Sequence, residues 1–136
     1  MSDTSAKIET RRFPSPPVNP ESQAFWEAAA EGRFLIKRCC DCGEAHWYPR
    51  AICPFCFSDD TVWERSPGEG VIYTFSIMRR SPTGPYAIGY VTLDEGPAVF
   101  TNFVDCEAGD LKIGARVKVR FEPTEKGPPI PVFRLV

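Results

Sequence analysis

Two cysteine pairs carry most of the chemistry that this sequence could perform. Within the eighteen residues from Cys39 to Cys56, "CCDCGEAHWYPRAICPFC", lie five of the six cysteines of the chain. Two Cys-x2-Cys knuckles stand there, and a two-residue spacer lets both thiolates of a knuckle reach one ion at about 2.3 Å. The spacing therefore predicts a closed four-sulfur metal site with Cys39, Cys42, Cys53 and Cys56 as its ligands.

The identity of the metal follows from what such a site can and cannot do. A four-cysteine site has no open coordination position, so it stabilises structure and does not activate water. We expect structural Zn²⁺, which in small zinc modules contributes on the order of 10 kcal/mol to folding. Redox iron uses the same four-sulfur geometry in rubredoxins, so an electron carrier is an alternative. No flavin motif or second redox centre is visible to accept an electron, which favours zinc.

The other thiols and the only histidine are predicted to be structural. Cys40 is the spare cysteine of the first knuckle, because pairing it with Cys42 would leave a one-residue spacer. Cys106 is expected to be a small buried apolar side chain. With four sulfurs available, His46 is predicted to have a structural or surface role and not to be a ligand. Gly43 directly follows the first knuckle, where we expect a tight bend with positive φ.

Composition and charge narrow the classes of function. The chain has 136 residues, 43% of them hydrophobic, which suits one ordinary domain or two small ones that share a modest core. A net charge of -2 disfavours a nucleic-acid partner, because such domains usually carry a clear basic excess. No apolar stretch has the length of a signal peptide or membrane span, so we expect a cytoplasmic protein with no membrane partner.

The N-terminal half is predicted to contain an arm, a helix and a zinc ribbon. Residues 1–18 are polar and then rich in proline, which favours an extended or disordered arm. Asn19, Pro20 and Glu21 form a typical helix start, so we expect a helix over residues 20–31 that ends at Gly32. Short strands should flank the two knuckles, which makes residues 19–66 the predicted helix and ribbon unit.

The predicted helix also offers a candidate surface for a partner. Phe25 and Trp26 would share one apolar face with Ala29. Such a face either packs on its own domain or docks onto a partner, and the sequence leaves both interpretations open.

Residues 67–136 have the pattern of a small barrel. Turn residues separate five β-branched and aromatic runs, "GVIYTFSIMRR", "AIGYVTLD", "AVFTNFV", "RVKVRFE" and "PVFRLV". The link over residues 105–114 is long enough for a turn of helix, and it falls between the third and fourth runs. The predicted fold class is therefore mainly β: an N-terminal helix, a rubredoxin-like zinc ribbon, then a five-stranded OB-fold barrel.

No catalytic constellation is visible in the barrel segment. It has no glycine-rich phosphate loop and no nucleophile elbow, and the single histidine has no evident acid-base partner. Two sets of basic residues could contact phosphates. The first set is Arg79 and Arg80, before the loop "SPTGPY". The second set lies on the solvent-facing side of the fourth strand and consists of Arg116, Lys118 and Arg120. A solvated strand face is the simpler interpretation of the second set.

The order of these motifs resembles a known family over nearly the whole chain from about residue 20. The segments that carry the resemblance are "FWEAAAEGRFLIKRCCDCGEAHWYPRAICPFC", "WERSPGEGVIYTFSIMRR", "PYAIGYVTLDEG", "IGARVKVRFE" and "PVFRLV". They are similar to the acyl-CoA-associated OB-fold proteins with an N-terminal rubredoxin-like zinc ribbon, formerly a domain of unknown function. The zinc ligands of that family fall on the four knuckle cysteines.

The resemblance implies a non-catalytic accessory subunit of a thiolase-type acyl-CoA enzyme complex, which helps to bind or shuttle acyl-CoA and stabilises its partner. Acyl-CoA hydratases and thiolase-fold aldolases are the alternative partners, and a single-stranded nucleic-acid module is a runner-up. A bound coenzyme A thioester needs a few cations and apolar walls. Arg79, Arg80 and Tyr86 are its candidate contacts, and Phe25 and Trp26 are the candidate docking residues.

Overall fold

The computed structural model describes residues 7–8, 13–82 and 84–136. Those residues contain one α-helix, one short 3-10 helix and ten strands, most of them in two sheets. In chain order the elements are β1 (Lys7–Ile8), α1 (Gln23–Ala30), β2 (Phe34–Cys39), β3 (Ala45–His46), β4 (Thr61–Ser66), β5 (Glu69–Met78), β6 (Tyr86–Leu93), β7 (Ala98–Phe103), β8 (Cys106–Glu107), the 3-10 helix (Ala108–Asp110), β9 (Arg116–Glu122) and β10 (Ile130–Leu135).

Helix α1 starts later than the sequence predicts. The backbone N–H of Ser22 donates to both the carbonyl and the side-chain oxygen of Asn19, each at 3.1 Å, so residues 19–22 close a turn before the helix. At the other end Gly32 adopts φ +80 and the predicted stop is confirmed. The helix has eight residues, and no helix of the described segments is long and apolar enough to span a bilayer.

The two cysteine knuckles lie next to a three-stranded antiparallel sheet. Strand β2 lies at its centre, with β3 on one side and β4 on the other. Cys39 is the last residue of β2, opposite Thr61 at the start of β4. The first knuckle therefore starts in a regular strand, whereas the second knuckle lies in the irregular segment between β3 and β4.

The remaining five long strands form a closed barrel in the order β10-β7-β6-β5-β9. All neighbours in the barrel are antiparallel except β10 and β7, which pair in parallel. The long link between β7 and β9 carries β8 and the 3-10 helix. This strand order is that of an OB fold, so the predicted fold class is confirmed.

Phe34 joins the helix, the ribbon and the barrel. Its ring is 2% exposed and lies within 6.3 Å, centroid to centroid, of four other aromatic rings. Those rings belong to α1, to the segment after β3, to β9 and to β10, and they are Phe25, Trp47, Phe121 and Phe133. One aromatic cluster thus stabilises the contact between the two halves of the chain.

The described parts of the predicted arm pack on the barrel. Ile8 is buried, and β1 pairs antiparallel with β8. Phe13 is buried in a second small cluster with Val104 and Val132, and it forms an isolated bridge to Thr124. Residues 1–6 and 9–12 lie outside the described residues.

We predict that Phe34→Ala destabilises the whole chain by about 3 to 5 kcal/mol, because it removes a ring buried among four others. Val62→Ala, on the exposed side of β4, is the matched control and should change the free energy of unfolding by less than about 0.5 kcal/mol. Chemical denaturation followed by tryptophan fluorescence measures both. Equal effects of the two substitutions would contradict the role of Phe34 in stabilising the contact between the two halves of the chain.

Candidate metal centre and surrounding surfaces

The four knuckle sulfurs lie together at one end of the ribbon. The Sγ atoms of Cys39, Cys42, Cys53 and Cys56 are all within 4.8 Å of one another. The Cys39–Cys56 separation is 3.5 Å and the Cys42–Cys53 separation is 3.7 Å. In a tetrahedron with metal–sulfur bonds of about 2.3 Å, sulfur atoms lie about 3.8 Å apart. The arrangement therefore fits one tetrahedral ion bound by four thiolates.

Each knuckle is closed by a residue with left-handed backbone geometry. Gly43 has φ +79, as its position predicts, and its N–H donates to the Cys39 carbonyl at 3.0 Å. Phe57 holds the equivalent place in the second knuckle, with φ 65, and its N–H donates to the Cys53 carbonyl at 2.9 Å. Glycine takes this geometry without strain, whereas phenylalanine does not. Metal binding by Cys53 and Cys56 would offset the strain at Phe57.

Backbone N–H groups donate to two of the four sulfurs. The N–H of Cys42 donates to Cys39 Sγ at 3.4 Å, and the N–H of Phe55 donates to Cys53 Sγ at 3.4 Å. The hydrogen bond from Cys42 lowers the pKa of the Cys39 thiol to about 7. Because thiolates and not thiols bind metals, this environment favours the ligand form of Cys39.

Polar side chains outside the cysteine motif hold the knuckles in place. The Arg38 guanidinium makes two hydrogen bonds to the Glu64 carboxylate, of 2.8 and 3.0 Å, and a third to the Gly43 carbonyl at 2.8 Å. Ser58 donates to the Asp41 carboxylate and so links the two knuckle segments. We did not identify these residues from the sequence. The signal that could have found Arg38 and Glu64 is their diagonal position across β2 and β4, where Arg38 lies opposite Val62 and Glu64 opposite Ile36, and this requires the strand register.

The histidine and the two other cysteines stay outside the sulfur cluster. Cys106 is buried, and desolvation raises the pKa of its thiol to about 11, as suits a small core side chain. Cys40 is exposed, and its backbone N–H donates to the Asp60 carbonyl at 2.8 Å. His46 lies in β3 and is 3% exposed, and burial lowers the pKa of its imidazole.

Phe25 and Trp26 point into the protein and not toward solvent. They are 0% and 6% exposed, and their rings pack edge to face at 4.8 Å. The Trp26 indole donates to the Tyr48 hydroxyl at 3.3 Å. Of the two interpretations that the sequence left open, packing on the protein's own core accounts for both side chains. Neither side chain therefore offers an exposed surface on this protein.

An uncharged surface covers the outside of strands β5, β6 and β7. We call it the apolar barrel face. Register places its residues in cross-strand rows, and none is charged: Thr74, Ser76, Met78, Tyr86, Ile88, Tyr90, Thr92, Ala98, Phe100 and Asn102. Tyr90 and Phe100 form an exposed aromatic pair with centroids 5.1 Å apart. Large exposed apolar surfaces usually mark sites of association.

The candidate acyl-CoA contacts lie at one end of this face. Tyr86 begins β6 directly opposite Met78, the last residue of β5. Arg79 and Arg80 follow Met78 and are exposed. The structure thus brings all three candidates to the same end of the barrel, at the rim of the apolar barrel face.

The basic residues of β9 are paired with acids. Arg116 makes two hydrogen bonds to Asp94, of 2.8 and 2.9 Å, which lower the pKa of that carboxyl. Lys118 lies 4.0 Å from Glu69. Arg120 pairs with the carboxylates of Asp105 and Glu122. This strand face therefore carries charges of both signs and is exposed to solvent, as its alternating sequence suggests.

Fold and sulfur cluster together define a class: an OB-fold protein with a rubredoxin-like four-cysteine zinc ribbon. Two family models agree with this class. The "ChsH2, rubredoxin-like zinc ribbon domain" matches residues 26–62, and the "ChsH2, C-terminal OB-fold domain" matches residues 63–122. The chain belongs to this ChsH2 family, which is also called DUF35, and the family resemblance noted in the sequence is confirmed.

Relatives of the chain carry two kinds of name. A "probable enoyl-CoA hydratase alpha subunit" of Thermomonospora curvata is 30% identical over 125 residues. The match spans 89% of this chain but only 39% of that subunit. A "DUF35 domain-containing scaffold protein" of Pyrococcus furiosus is 32% identical over 100 residues, 70% of this chain and 74% of that protein.

Solved structures give the same assignment of fold. A chain of the structure titled "Ltp2-ChsH2(DUF35) aldolase" is 29% identical and superposes with a TM-score of 0.77. The superposition covers 88% of this chain and 98% of that one. A DUF35 protein of unknown function from Sulfolobus solfataricus superposes with a TM-score of 0.63 at 16% identity, over 88% of this chain and 87% of that one, which supports the fold alone.

The sulfur cluster leads to a prediction about metal content. Elemental analysis of the purified chain should find one equivalent of zinc, and Cys53→Ser should lose it together with the ordered ribbon, because a structural zinc supplies on the order of 10 kcal/mol. Circular dichroism and thermal unfolding, with and without a strong chelator, report the loss. Cys40→Ser and Cys106→Ser are the controls and should keep the metal. A melting curve that the chelator leaves unchanged would contradict a structural role for the ion.

Proposed function

We propose that the chain is a non-catalytic accessory subunit of an acyl-CoA enzyme, which docks on its catalytic partner and helps to hold the acyl-CoA. A thiolase-type enzyme is the partner we propose first, with a hydratase or an aldolase as the alternatives. The observation that carries the proposal is the apolar barrel face, which is an uncharged surface. The relatives of this chain include scaffold proteins, and it superposes on a structure titled "Ltp2-ChsH2(DUF35) aldolase".

The barrel face suits a stable protein partner. Its aromatic pair, Tyr90 and Phe100, stands on two regular strands and loses little side-chain freedom on binding. Charged residues begin at its borders: on β9, after β5, and in the turn between β6 and β7. An apolar centre with a charged rim is the usual layout of an interface between subunits.

The rim is where we propose that acyl-CoA is held. Arg79 and Arg80 would contact phosphates of coenzyme A, and the ring of Tyr86 would pack against the adjoining part of the molecule. A ligand bound there would lie beside the docked partner, whose own residues would carry out the chemistry. The zinc ribbon has a structural part in this proposal, because four cysteines leave no position for a substrate on the metal.

The runner-up, binding of single-stranded nucleic acid, is less well supported. Such sites combine stacked aromatic side chains with a positive groove. Here the aromatic face has no cation among its outward residues, and the cations of β9 are paired with Asp94, Glu69, Asp105 and Glu122. The arginine pair at the rim is too small a positive surface to track a nucleic-acid backbone.

We predict that the tagged chain, purified gently from the cells that produce it, brings down an acyl-CoA enzyme in stoichiometric amount, identified by mass spectrometry. Turnover of acyl-CoA by that enzyme should depend on the chain. Tyr90→Glu should weaken the association about a hundred-fold, equal to about 2.7 kcal/mol, because the carboxylate would be buried without a partner.

Ile113→Glu is the matched control, since Ile113 is also exposed and apolar but precedes β9 and lies outside the barrel face. It should leave the association unchanged. A chain that purifies alone and monomeric, or a Tyr90→Glu variant that binds the enzyme as tightly as the Ile113→Glu variant does, would refute the docking proposal.

The arginine pair generates a separate prediction about ligand affinity. Arg79→Ala combined with Arg80→Ala should raise the KM of the assembled complex for acyl-CoA by about ten-fold or more and leave kcat nearly unchanged, because charged hydrogen bonds contribute about 1.5 to 3 kcal/mol each. Lys112→Ala, at another exposed cation, is the control. If KM stays constant while the complex remains intact, acyl-CoA does not use this rim.

A further inference from the structure

A cavity of about 360 Å³ opens between the ribbon and the turn that precedes β7. His46 and Trp47 line it from the ribbon, Pro97 from the barrel, and Tyr48 and Phe55 add aromatic walls. Arg50, which is exposed, also borders the cavity. The knuckle cysteines do not line the cavity, although their sequence neighbours Pro54 and Phe55 do. The candidate acyl-CoA contacts do not line it either.

Three polar atoms of the lining residues are buried without a partner. Among the described residues, neither ring nitrogen of His46 has a partner in hydrogen-bond geometry, although the Arg50 main chain lies near the imidazole, and Nε1 of Trp47 has no partner either. His46 is 3% exposed. Buried polar groups in folded proteins nearly always have a partner, and one that lacks it usually awaits water or a ligand. The cavity beside these atoms has room for such a partner.

The charges around the cavity are positive. Arg50 lies on its border, and Lys37 is paired with His46 across strands β2 and β3. Burial is the main cause that lowers the pKa of His46; the Arg50 main chain raises it, and the charges of Lys37 and Arg50 lower it further. No aspartate or glutamate of the described residues lines the cavity. The indole N–H and the guanidinium can only donate hydrogen bonds, so the ligand must supply acceptors.

From this geometry we propose that the cavity binds a small monocarboxylate with an apolar body. The carboxylate accepts hydrogen bonds from Trp47 Nε1, His46 and the Arg50 guanidinium, and the apolar body packs against Tyr48, Phe55 and Pro97. Phosphate fits less well, because a compact, strongly hydrated ion of higher charge would meet one full cation and mostly apolar walls.

The test is a titration of the zinc-loaded, ¹⁵N-labelled full chain with benzoate, followed at the indole N–H signals by NMR. The Trp47 signal, assigned with Trp47→Phe, should shift to saturation with benzoate and not with benzyl alcohol, which has the same ring without the charge. Arg50→Gln, a change at an exposed side chain, should weaken benzoate at least ten-fold. Arg65→Gln is the control and should not.

Four results would overturn the proposal. A Trp47 signal that never saturates indicates a cavity filled by water only. Equal shifts with benzyl alcohol, or a benzoate affinity unchanged by Arg50→Gln, would remove the carboxylate from the site. Tighter binding of inorganic phosphate than of benzoate would assign the cavity to a different anion.

Discussion

The meeting of four thiols at one point is the constraint on which the ribbon depends. Across residues 39–60 the buried side chains are only Cys39, Ala45, His46, Pro49 and Cys53, and two of these are cysteines of the cluster. So small a set of apolar contacts cannot offset the conformational entropy of ordering the segment. A bound ion would supply the missing free energy locally, and it would also hold the bend at Phe57 that the backbone alone disfavours.

The barrel divides its outer surface between two kinds of residue. Around β9 cations and carboxylates alternate and neutralise one another, which keeps that side solvated. Around β6 the outward residues are aromatic, aliphatic or uncharged polar. Both faces belong to one small closed sheet, so the difference cannot arise from the needs of the core, which are the same on every strand. The difference supports the proposal that the protein docks on its partner with the uncharged side.

The sequence predicted the elements that depend on local pattern. Knuckle spacing, the bend at Gly43, the helix stop at Gly32 and the five barrel strands all follow from neighbouring residues. What the sequence could not give depends on register and packing. The hydrophobic face of α1 has the same pattern whether Trp26 enters the core or meets a partner, and the pairing of Arg116 with Asp94 exists only once β9 and the β6–β7 turn are adjacent.

The late position of β9 and β10 in the chain affects the order in which the protein can fold during synthesis. The ribbon is complete once β4 has left the ribosome, so its cysteines can bind an ion before the barrel has been synthesised. Phe34 must wait, because Phe121 and Phe133 come from the two strands that are made last. Until then Phe34 is covered only on the side of Phe25 and Trp47, and its other side stays exposed on the finished ribbon, where such transient apolar surface favours binding of a chaperone.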